Sequence, residues 1–186
     1  MTRSAKDGKV TKGMGRIIFI TGGVRSGKSK FAVELAKRLH KKVVFIATLK
    51  PGDKEMKERV RLHQASRPKD WLVIEEPLDL TNTLKKLPQA RLIIIDCLTL
   101  WISNLLALGL KEENILKRAE DLIKATKDIK SPIIFVSNEV GWGVVPTNKI
   151  ARRFRDIVGK IHQEIAENSD EVYLMVSGIP IKIKGE

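Results

Sequence analysis

Residues 22–29 read Gly22-Gly23-Val24-Arg25-Ser26-Gly27-Lys28-Ser29, which is a glycine, four residues of any type, and then Gly-Lys-Ser. Glycines in this pattern let backbone N–H groups turn inward around phosphate oxygens. The lysine reaches the β- and γ-phosphates, and the hydroxyl after it can bind Mg²⁺. The octet therefore predicts a loop that binds a nucleoside triphosphate through all eight residues.

The residues on either side of this octet supply the structural context that the pattern needs. Residues 17–21 form a short apolar run typical of a buried strand. Phe31, Leu35 and Leu39 recur at a spacing of four, which predicts an amphipathic helix over 28–40. The N-terminus of such a helix carries partial positive charge and adds to the attraction for phosphate. A glycine-rich turn without a ligand is the alternative interpretation, and this context disfavours it.

Further apolar runs alternate with helical patterns along the rest of the chain. Strands are predicted at 17–21, 43–47, 71–75, 92–96, 133–137 and 172–176, and helices at 28–40, 53–65, 99–108, 113–128 and 148–168. Such alternation predicts a mainly parallel sheet with helices on both faces. The alternating residues of 179–184 predict an antiparallel strand at the edge of the sheet. We therefore expect one α/β catalytic domain over 17–186, preceded by a flexible basic extension over 1–16.

The composition of the 186-residue chain is that of an ordinary globular protein, with 42% hydrophobic and 31% charged residues. Its single cysteine, Cys97, excludes an internal disulfide and suits a reducing compartment. The first residues are polar and lack the apolar centre of a signal peptide. The longest apolar stretch, 92–102, is interrupted by Asp96 and is too short to span a bilayer. These features predict a soluble cytoplasmic protein without a membrane span.

The net charge of +13 raises the question of a nucleic-acid partner. Part of this excess lies in the extension 1–16, where basic residues outnumber the single acid, Asp7. Elsewhere lysines and arginines are scattered among acidic residues. The aromatic residues, 5% of the chain, are not interleaved with basic ones as in a stacking platform. We therefore expect anionic small molecules, and no nucleic acid, as partners.

Two further segments place polar residues where nucleotide sites form in parallel sheets. Asp96 ends an apolar strand, and ligands of nucleotide-binding α/β folds lie at the carboxyl ends of strands. We therefore expect Asp96 to face the Mg²⁺ that Ser29 binds. Residues 137–146 follow another strand and contain two glycines, a proline and Trp142, which favours an active-site loop. Trp142 either covers a ligand or packs within that loop.

The segment 53–68 contains a histidine in an unusual setting. As a helix it places on one side Met56, Arg59, Val60, His63 and Arg67. Arginines bind phosphate oxygens and neutral imidazole is a nucleophile, so His63 is a candidate for attack on a polyphosphate. The spacing alone fits a surface histidine without a catalytic role at least as well. His40 and His162 are interpreted as structural, and no spacing of histidine and cysteine predicts a transition-metal site.

Five motifs occur along the chain in order. They are the octet 22–29, Ile46-Ala47-Thr48, Glu55-Met56-x-x-Arg59-Val60-x-x-His63-x-x-x-Arg67-Pro68-x-x-Trp71, Asn138-Glu139-Val140-Gly141-x-Gly143-Val144-Val145-Pro146, and Val176-Ser177-Gly178-Ile179-Pro180. Together they resemble the bifunctional adenosylcobinamide kinase/adenosylcobinamide-phosphate guanylyltransferase family of cobalamin biosynthesis. The resemblance covers residues 17 to about 184. It implies a RecA-like P-loop fold, a homotrimer, and GTP, ATP and a corrinoid as substrates, with Mg²⁺.

The resemblance implies a two-step activity. A nucleoside triphosphate phosphorylates the aminopropanol hydroxyl of adenosylcobinamide. GTP then gives GMP to an enzyme histidine and from there to the new phosphate, which yields adenosylcobinamide-GDP and pyrophosphate. The guanylylated histidine corresponds to His63, and Lys28 is the second catalytic residue. Nucleotide contacts correspond to 22–29, Ala47, Thr48, Leu49, Gln64, Ala65, Ser66, Arg67, Glu75 and Asp96, with Ser29 and Asp96 as metal ligands.

Two features depart from the family pattern. The extension before Ile17 is longer than expected, and Trp142 stands where a smaller or aliphatic residue is expected. Three rival interpretations stay open: a simple small-molecule kinase with an idle His63, a RecA-like ATPase that acts on nucleic acid, and a nucleotide-sensing module without turnover. Only the transferase retains labelled nucleotide through denaturation, whereas salt-sensitive nucleic-acid binding favours the ATPase.

Overall fold

The structure is a computed structural model of the chain, and it describes residues 15–39, 42–49, 68, 70–87 and 92–186. These residues form seven strands and five helices. The strands are β1 (Ile17–Gly22), β2 (Val43–Ala47), β3 (Leu72–Glu75), β4 (Leu92–Asp96), β5 (Ile133–Val136), β6 (Glu171–Val176) and β7 (Ile179–Lys184). The helices are α1 (Lys28–Leu39), α2 (Leu80–Lys86), α3 (Leu98–Ala107), α4 (Glu112–Lys127) and α5 (Lys149–Asn168).

The strands form one sheet in the order β3-β2-β4-β5-β1-β6-β7. All neighbouring pairs are parallel except β6 and β7, which are antiparallel. Parallel neighbours need crossover connections, and helices commonly supply them. The expected α/β architecture with an antiparallel edge strand is therefore confirmed.

Alternate side chains of the strands enter two cores, one on each face of the sheet. In β1, Ile17 and Phe19 belong to the core beneath α2, α3, α4 and α5. Ile18 and Ile20 belong to the core beneath α1. Burial of each such side chain contributes about 1.5–3 kcal/mol by removing apolar surface from water. The two cores fix the sheet, so the carboxyl ends of β1, β5 and β4 hold constant relative positions.

The observed elements differ from the predicted ones chiefly at α2. Every predicted strand is present with bounds within one residue of those expected, and so are the helices predicted at 28–40, 99–108, 113–128 and 148–168. The sequence pattern does not predict α2, because only Leu80 and Leu84 are buried in this short helix. The Asp79 carboxylate caps it by accepting from the backbone N–H of Asn82. The helix predicted over 53–65 lies outside the described residues.

The strongly apolar segment predicted at 99–108 is α3, and it packs onto the sheet. Trp101, Ile102 and Leu105 are all buried in the core. The indole N–H of Trp101 donates to the carbonyl of Leu78 at 2.9 Å.

In the part of the chain that the structure describes, no helix has both the length and the apolar character needed to cross a bilayer.

Two residues of the predicted extension contact the fold. The backbone N–H of Gly15 donates to the carbonyl of Lys130 at 3.3 Å, and Ile133 donates to the carbonyl of Arg16 at 2.8 Å. The Arg16 guanidinium also forms an ion pair with Glu171. Residues 1–14 lie outside the described ranges, so the flexible extension stays a prediction.

Candidate active site

The loop between β1 and α1 has the arrangement that the octet predicts. Within it, the N–H of Ser26 donates to the carbonyl of Gly23 at 3.2 Å. The N–H of Phe31 donates to the carbonyl of Gly27 at 2.9 Å and begins the helical hydrogen-bond pattern. The first N–H groups of a helix have no partner within it, so the start of α1 presents backbone donors to this loop. Such a helix N-terminus is an anion-binding site.

The hairpin of β6 and β7 packs closely against this loop. A Cβ added to Gly22 (φ +147°) would lie 2.5 Å from the carbonyl oxygen of Met175. A Cβ added to Gly27 (φ +93°) would lie 3.2 Å from the Cα of Gly178. The N–H of Gly178 donates to the carbonyl of Ser26 at 3.0 Å. Glycine is therefore needed where the backbones of the loop and the hairpin approach each other.

Replacing Gly22 with alanine is expected to lower the free energy of unfolding by about 1–3 kcal/mol. The new methyl group would meet the Met175 carbonyl in a backbone conformation that alanine disfavours. Gly23→Ala is the matched control, because a Cβ there has no neighbouring atom within 4 Å. Denaturant unfolding without nucleotide measures both variants. Equal stability of the two would show that the β6 backbone does not constrain the loop.

Lys28 is the first residue of α1, and its side chain turns into the loop. It is only 6% exposed, and its Nζ donates to the carbonyl of Gly23 at 2.6 Å. Burial lowers the pKa of Lys28, while the nearby Asp96 carboxylate and, less strongly, Cys97 act to raise it. An ammonium with so little access to solvent is stabilised when phosphate oxygens replace the water molecules that it has lost.

Ser29 and Asp96 offer oxygen donors of the kind that Mg²⁺ prefers. Asp96 lies at the end of β4, near enough to Lys28 to influence its pKa, and both donor residues are partly exposed. Mg²⁺ is usually held by one or two protein oxygens together with substrate phosphates and water. The donor set therefore fits the ion. Among the residues that the structure describes, no group of three or more His, Cys, Asp or Glu side chains could hold a metal by itself.

Thr48 joins the carboxyl ends of β2 and β4. Its fully buried hydroxyl donates to the carbonyl of Cys97 at 2.7 Å and accepts from the N–H of Cys97 at 2.8 Å. Its own N–H donates to the carbonyl of Asp96 at 3.1 Å. These bonds position Asp96, and the predicted contact of Thr48 with nucleotide stays a prediction.

Burial, with the Asp96 carboxylate, raises the pKa of Cys97 to about 11, so this thiol is not a nucleophile at neutral pH.

Several predicted nucleotide contacts lie along one edge of the sheet. Ala47 is the register partner of Glu75 on β3 and of Asp96 on β4, so these three residues lie side by side. Leu49 follows β2 and is partly buried, whereas Val24 and Arg25 are exposed at the tip of the phosphate loop. The remaining predicted site residues lie outside the described ranges, and their roles stay predictions: His63, Gln64, Ala65, Ser66 and Arg67.

The segment that follows β5 lies against the phosphate loop, as expected of an active-site loop. β5 lies between β1 and β4 in the sheet. The N–H of Glu139 donates to the carbonyl of Gly22 at 2.9 Å. The backbone and side-chain amides of Asn138 both donate to the hydroxyl of Thr99 at 3.2 Å, which ties the segment to the start of α3.

Arg155 of α5 holds the next part of this segment, and sequence patterns do not reveal that role. Its guanidinium donates to the carbonyls of Gly141 (2.6 Å), Val144 (2.8 Å) and Gly143 (3.2 Å). Trp142 lies within the held loop and is 74% exposed. The indole therefore does not pack within the loop, and its contact with a ligand stays a prediction.

Sequence reasoning also missed a buried polar cluster behind the phosphate loop. His162, interpreted above as structural, has its Nε2 2.7 Å from the hydroxyl of Ser137. Its Nδ1 lies 3.8 Å from a carboxylate oxygen of Glu139. The one signal in the sequence is a histidine on the otherwise apolar face of α5, beside Ile161 and Ile165.

Known proteins resemble this chain over most of its length. Residues 18–183 match the family described as cobinamide kinase / cobinamide phosphate guanyltransferase. A bifunctional adenosylcobalamin biosynthesis protein, CobP, of Pseudomonas aeruginosa is 43% identical over 168 residues, which cover 90% of this chain and 96% of that protein. The protein of the same description, CobU, of Salmonella typhimurium is 40% identical over 182 residues, which cover 90% and 99%. The matched range contains the phosphate loop, Asp96 and residues 137–146.

Proposed function

The chain belongs to the cobinamide kinase / cobinamide phosphate guanyltransferase family of cobalamin biosynthesis, and from this premise we propose that one phosphate loop serves two successive reactions. In the first, ATP or GTP phosphorylates the aminopropanol hydroxyl of adenosylcobinamide. In the second, GTP transfers GMP to the new phosphate through a guanylyl-histidine at His63. The observation that carries the proposal is the buried ammonium of Lys28 at the start of α1, beside Asp96.

In the phosphoryl step, the described residues bind and orient the triphosphate. The N–H groups at the start of α1 and the ammonium of Lys28 lie where loops of this pattern bind the β- and γ-phosphates. Phosphate oxygens take over the hydrogen bond that Lys28 makes to the carbonyl of Gly23. Mg²⁺, bound by Ser29 and Asp96, would neutralise the charge that develops on the transferring group.

In the guanylyl step, the same loop holds the leaving group. The imidazole of His63 attacks the α-phosphorus of GTP, and the bond from that phosphorus to the oxygen that bridges it to the β-phosphorus breaks. Pyrophosphate is then left beside Lys28. The phosphoramidate passes GMP to the corrinoid phosphate, so one difficult displacement becomes two easier ones. The motif around His63 and the 40–43% identity to the bifunctional relatives support this step.

We also propose that the protein is a cytoplasmic homotrimer. The family resemblance suggests three copies, and the composition suggests the compartment. The edge strand β7 supports assembly, because Ile179, Ile181 and Ile183 are 65%, 46% and 59% exposed. Light scattering at micromolar concentration is expected to give the mass of three chains. A monomer under those conditions would contradict the proposal.

The proposed function is tested by running its two half-reactions separately. With Mg²⁺ and ATP, the protein is expected to convert adenosylcobinamide into its phosphate ester. Addition of GTP to that ester is expected to give adenosylcobinamide-GDP and pyrophosphate, which chromatography and mass spectrometry detect. Phosphorylation without guanylyl transfer would leave the simple-kinase rival. If neither reaction occurs and nucleic acid stimulates the hydrolysis of ATP, the ATPase rival would be favoured.

A further inference from the structure

Three side chains behind the phosphate loop, those of Ser137, Glu139 and His162, form what we call the Ser-His-Glu cluster. Ser137 is fully buried and His162 is 8% exposed. The hydroxyl of Ser137 lies 2.7 Å from Nε2 of His162, and Oε2 of Glu139 lies 3.8 Å from Nδ1. The imidazole also packs edge-on against Phe19, with ring centroids 5.2 Å apart. The ring therefore has a polar neighbour at each nitrogen and an aromatic ring beside it.

The chemistry of the cluster assigns its protons. The carboxylate of Glu139 only accepts hydrogen bonds, so Nδ1, which faces it, carries the proton of His162. Nε2 then accepts from the hydroxyl of Ser137. Burial lowers the pKa of His162 to about 4, although Glu139 acts to raise it. At neutral pH the imidazole is therefore uncharged and presents an N–H dipole to Glu139.

Glu139 is held at the edge of the phosphate loop. Its N–H donates to the carbonyl of Gly22 at 2.9 Å. Its Oε1 accepts from the N–H of Gly141 at 2.6 Å, and its Oε2 faces His162. The side chain is 21% exposed, so the carboxylate is constrained and still reaches solvent. The roles proposed for Lys28 and Asp96 leave this carboxylate unused.

The hydroxyl of Thr21 is a further observation that points to a ligand beside the cluster. Thr21 ends the apolar part of β1 and is 8% exposed, and its Oγ1 is buried with no hydrogen-bond partner among the residues that the structure describes. Side chains alternate along a strand, so Thr21 and Phe19 lie on the same face of the sheet as His162. Buried hydroxyls are rarely left without a partner. A bound hydroxyl or water would supply one.

We propose that Glu139 is the catalytic base of the phosphoryl step and that His162 is its positioning residue. This inference rests on the proposed function, because it requires an alcohol as the phosphoryl acceptor. Oε2 of Glu139 takes the proton of the acceptor hydroxyl while the hydroxyl oxygen bonds to the γ-phosphorus. The bond from the γ-phosphorus to the oxygen that bridges it to the β-phosphorus breaks, and the nucleoside diphosphate leaves. His162 acts through Glu139 by orienting the carboxylate.

The role of Glu139 is confined to the first reaction by the chemistry of the two acceptors. An alcohol must lose a proton as it is phosphorylated. The guanylyl group goes first to His63, whose neutral imidazole attacks through a lone pair and needs no base. Its final acceptor is a phosphate monoester, which is largely a dianion at neutral pH because its second pKa is about 6. No proton has to be removed from it. Loss of Glu139 should therefore impair phosphorylation and spare guanylyl transfer to a corrinoid that already carries the phosphate.

Glu139→Gln tests the base, since glutamine keeps the size of the side chain and an acceptor for the N–H of Gly141. We expect kcat for phosphorylation to fall about 100-fold or more, with little change in KM for nucleotide. Guanylyl transfer to supplied adenosylcobinamide-phosphate should lose far less, because that acceptor has no proton to give up. Wild-type phosphorylation by the variant, or equal loss of both reactions, would overturn the assignment. If the wild-type protein phosphorylates no corrinoid, the proposed function itself fails.

His162→Asn and His162→Gln form a matched pair that tests the positioning residue. Asparagine places its amide near the position of Nδ1 and can donate to Glu139. Glutamine places its amide near Nε2 and keeps only the contact with Ser137. We expect kcat for phosphorylation to fall about 10-fold in His162→Gln and much less in His162→Asn, at similar thermal midpoints. Equal kcat values, or values that follow the thermal midpoint alone, would make His162 purely structural and overturn its assigned role.

Discussion

Lys28→Ala is expected to abolish phosphorylation and guanylyl transfer while leaving the fold intact. Loss of a preorganised donor to the reacting phosphates costs at least about 100-fold in kcat. Alanine is a good helix former at the start of α1. Burial lowers the pKa of Lys28, so folding disfavours its charged form at neutral pH. The variant should therefore keep the wild-type thermal midpoint or exceed it, which separates a catalytic loss from an unfolded protein.

Lys30→Ala is the matched control for this variant. Lys30 lies on the same helix, its side chain is 83% exposed, and its ammonium approaches Glu34 only to 4.0 Å. Removing it takes the same charge from α1 without touching the phosphate loop, so both reactions should run at wild-type rates. Full activity in a well-folded Lys28→Ala protein would remove the loop from the mechanism.

His63→Asn is expected to eliminate guanylyl transfer while phosphorylation continues at a measurable rate. Asparagine keeps the polarity and approximate size of histidine but lacks the nucleophilic ring nitrogen. With α-labelled GTP, the wild-type protein should retain an acid-labile and alkali-stable label through denaturing electrophoresis, as expected of a phosphoramidate. The variant should retain none. Phosphorylation depends on Lys28 and the phosphate loop, so it should survive.

His40→Asn is the control for the same substitution at a histidine interpreted as structural. It should keep the label and both reactions. Equal adduct formation in His63→Asn and wild type would move the nucleophile to another residue. Loss of both reactions in a folded His63→Asn protein would reassign His63 to the positioning of nucleotide.

The strands and most helices could be predicted because their signals are local. Ile93, Ile94 and Ile95 are buried on the two faces of the sheet, so β4 appears in the sequence as a continuous apolar run. α5 shows a long apolar stripe for the same reason. α2 could not be predicted, because two apolar residues, Leu80 and Leu84, are too few to indicate a helix. The helix is stabilised by packing against α4, which no local pattern shows.

The site likewise has one part that local sequence patterns predict and another that depends on contacts between distant residues. The phosphate loop is contiguous, so its residue types and spacing suffice to predict it. Ser137 and His162 are separated by 25 residues, and their contact depends on how α5 lies on the sheet. The three carbonyls that Arg155 holds and the approach of Gly178 to Gly27 also depend on tertiary packing. Local sequence patterns do not predict such contacts, because the residues that make them are far apart in the sequence.

The claim that one loop serves both reactions is tested most directly by following two phosphorus atoms of GTP into one corrinoid product. The protein is incubated with adenosylcobinamide, Mg²⁺ and GTP labelled with distinguishable isotopes at the γ and α positions. The corrinoid product should carry both labels in equal amount, and the corrinoid recovered from the reaction with Lys28→Ala should carry neither. A corrinoid that carries the γ label alone, or labelled product from Lys28→Ala at the wild-type rate, would contradict the claim.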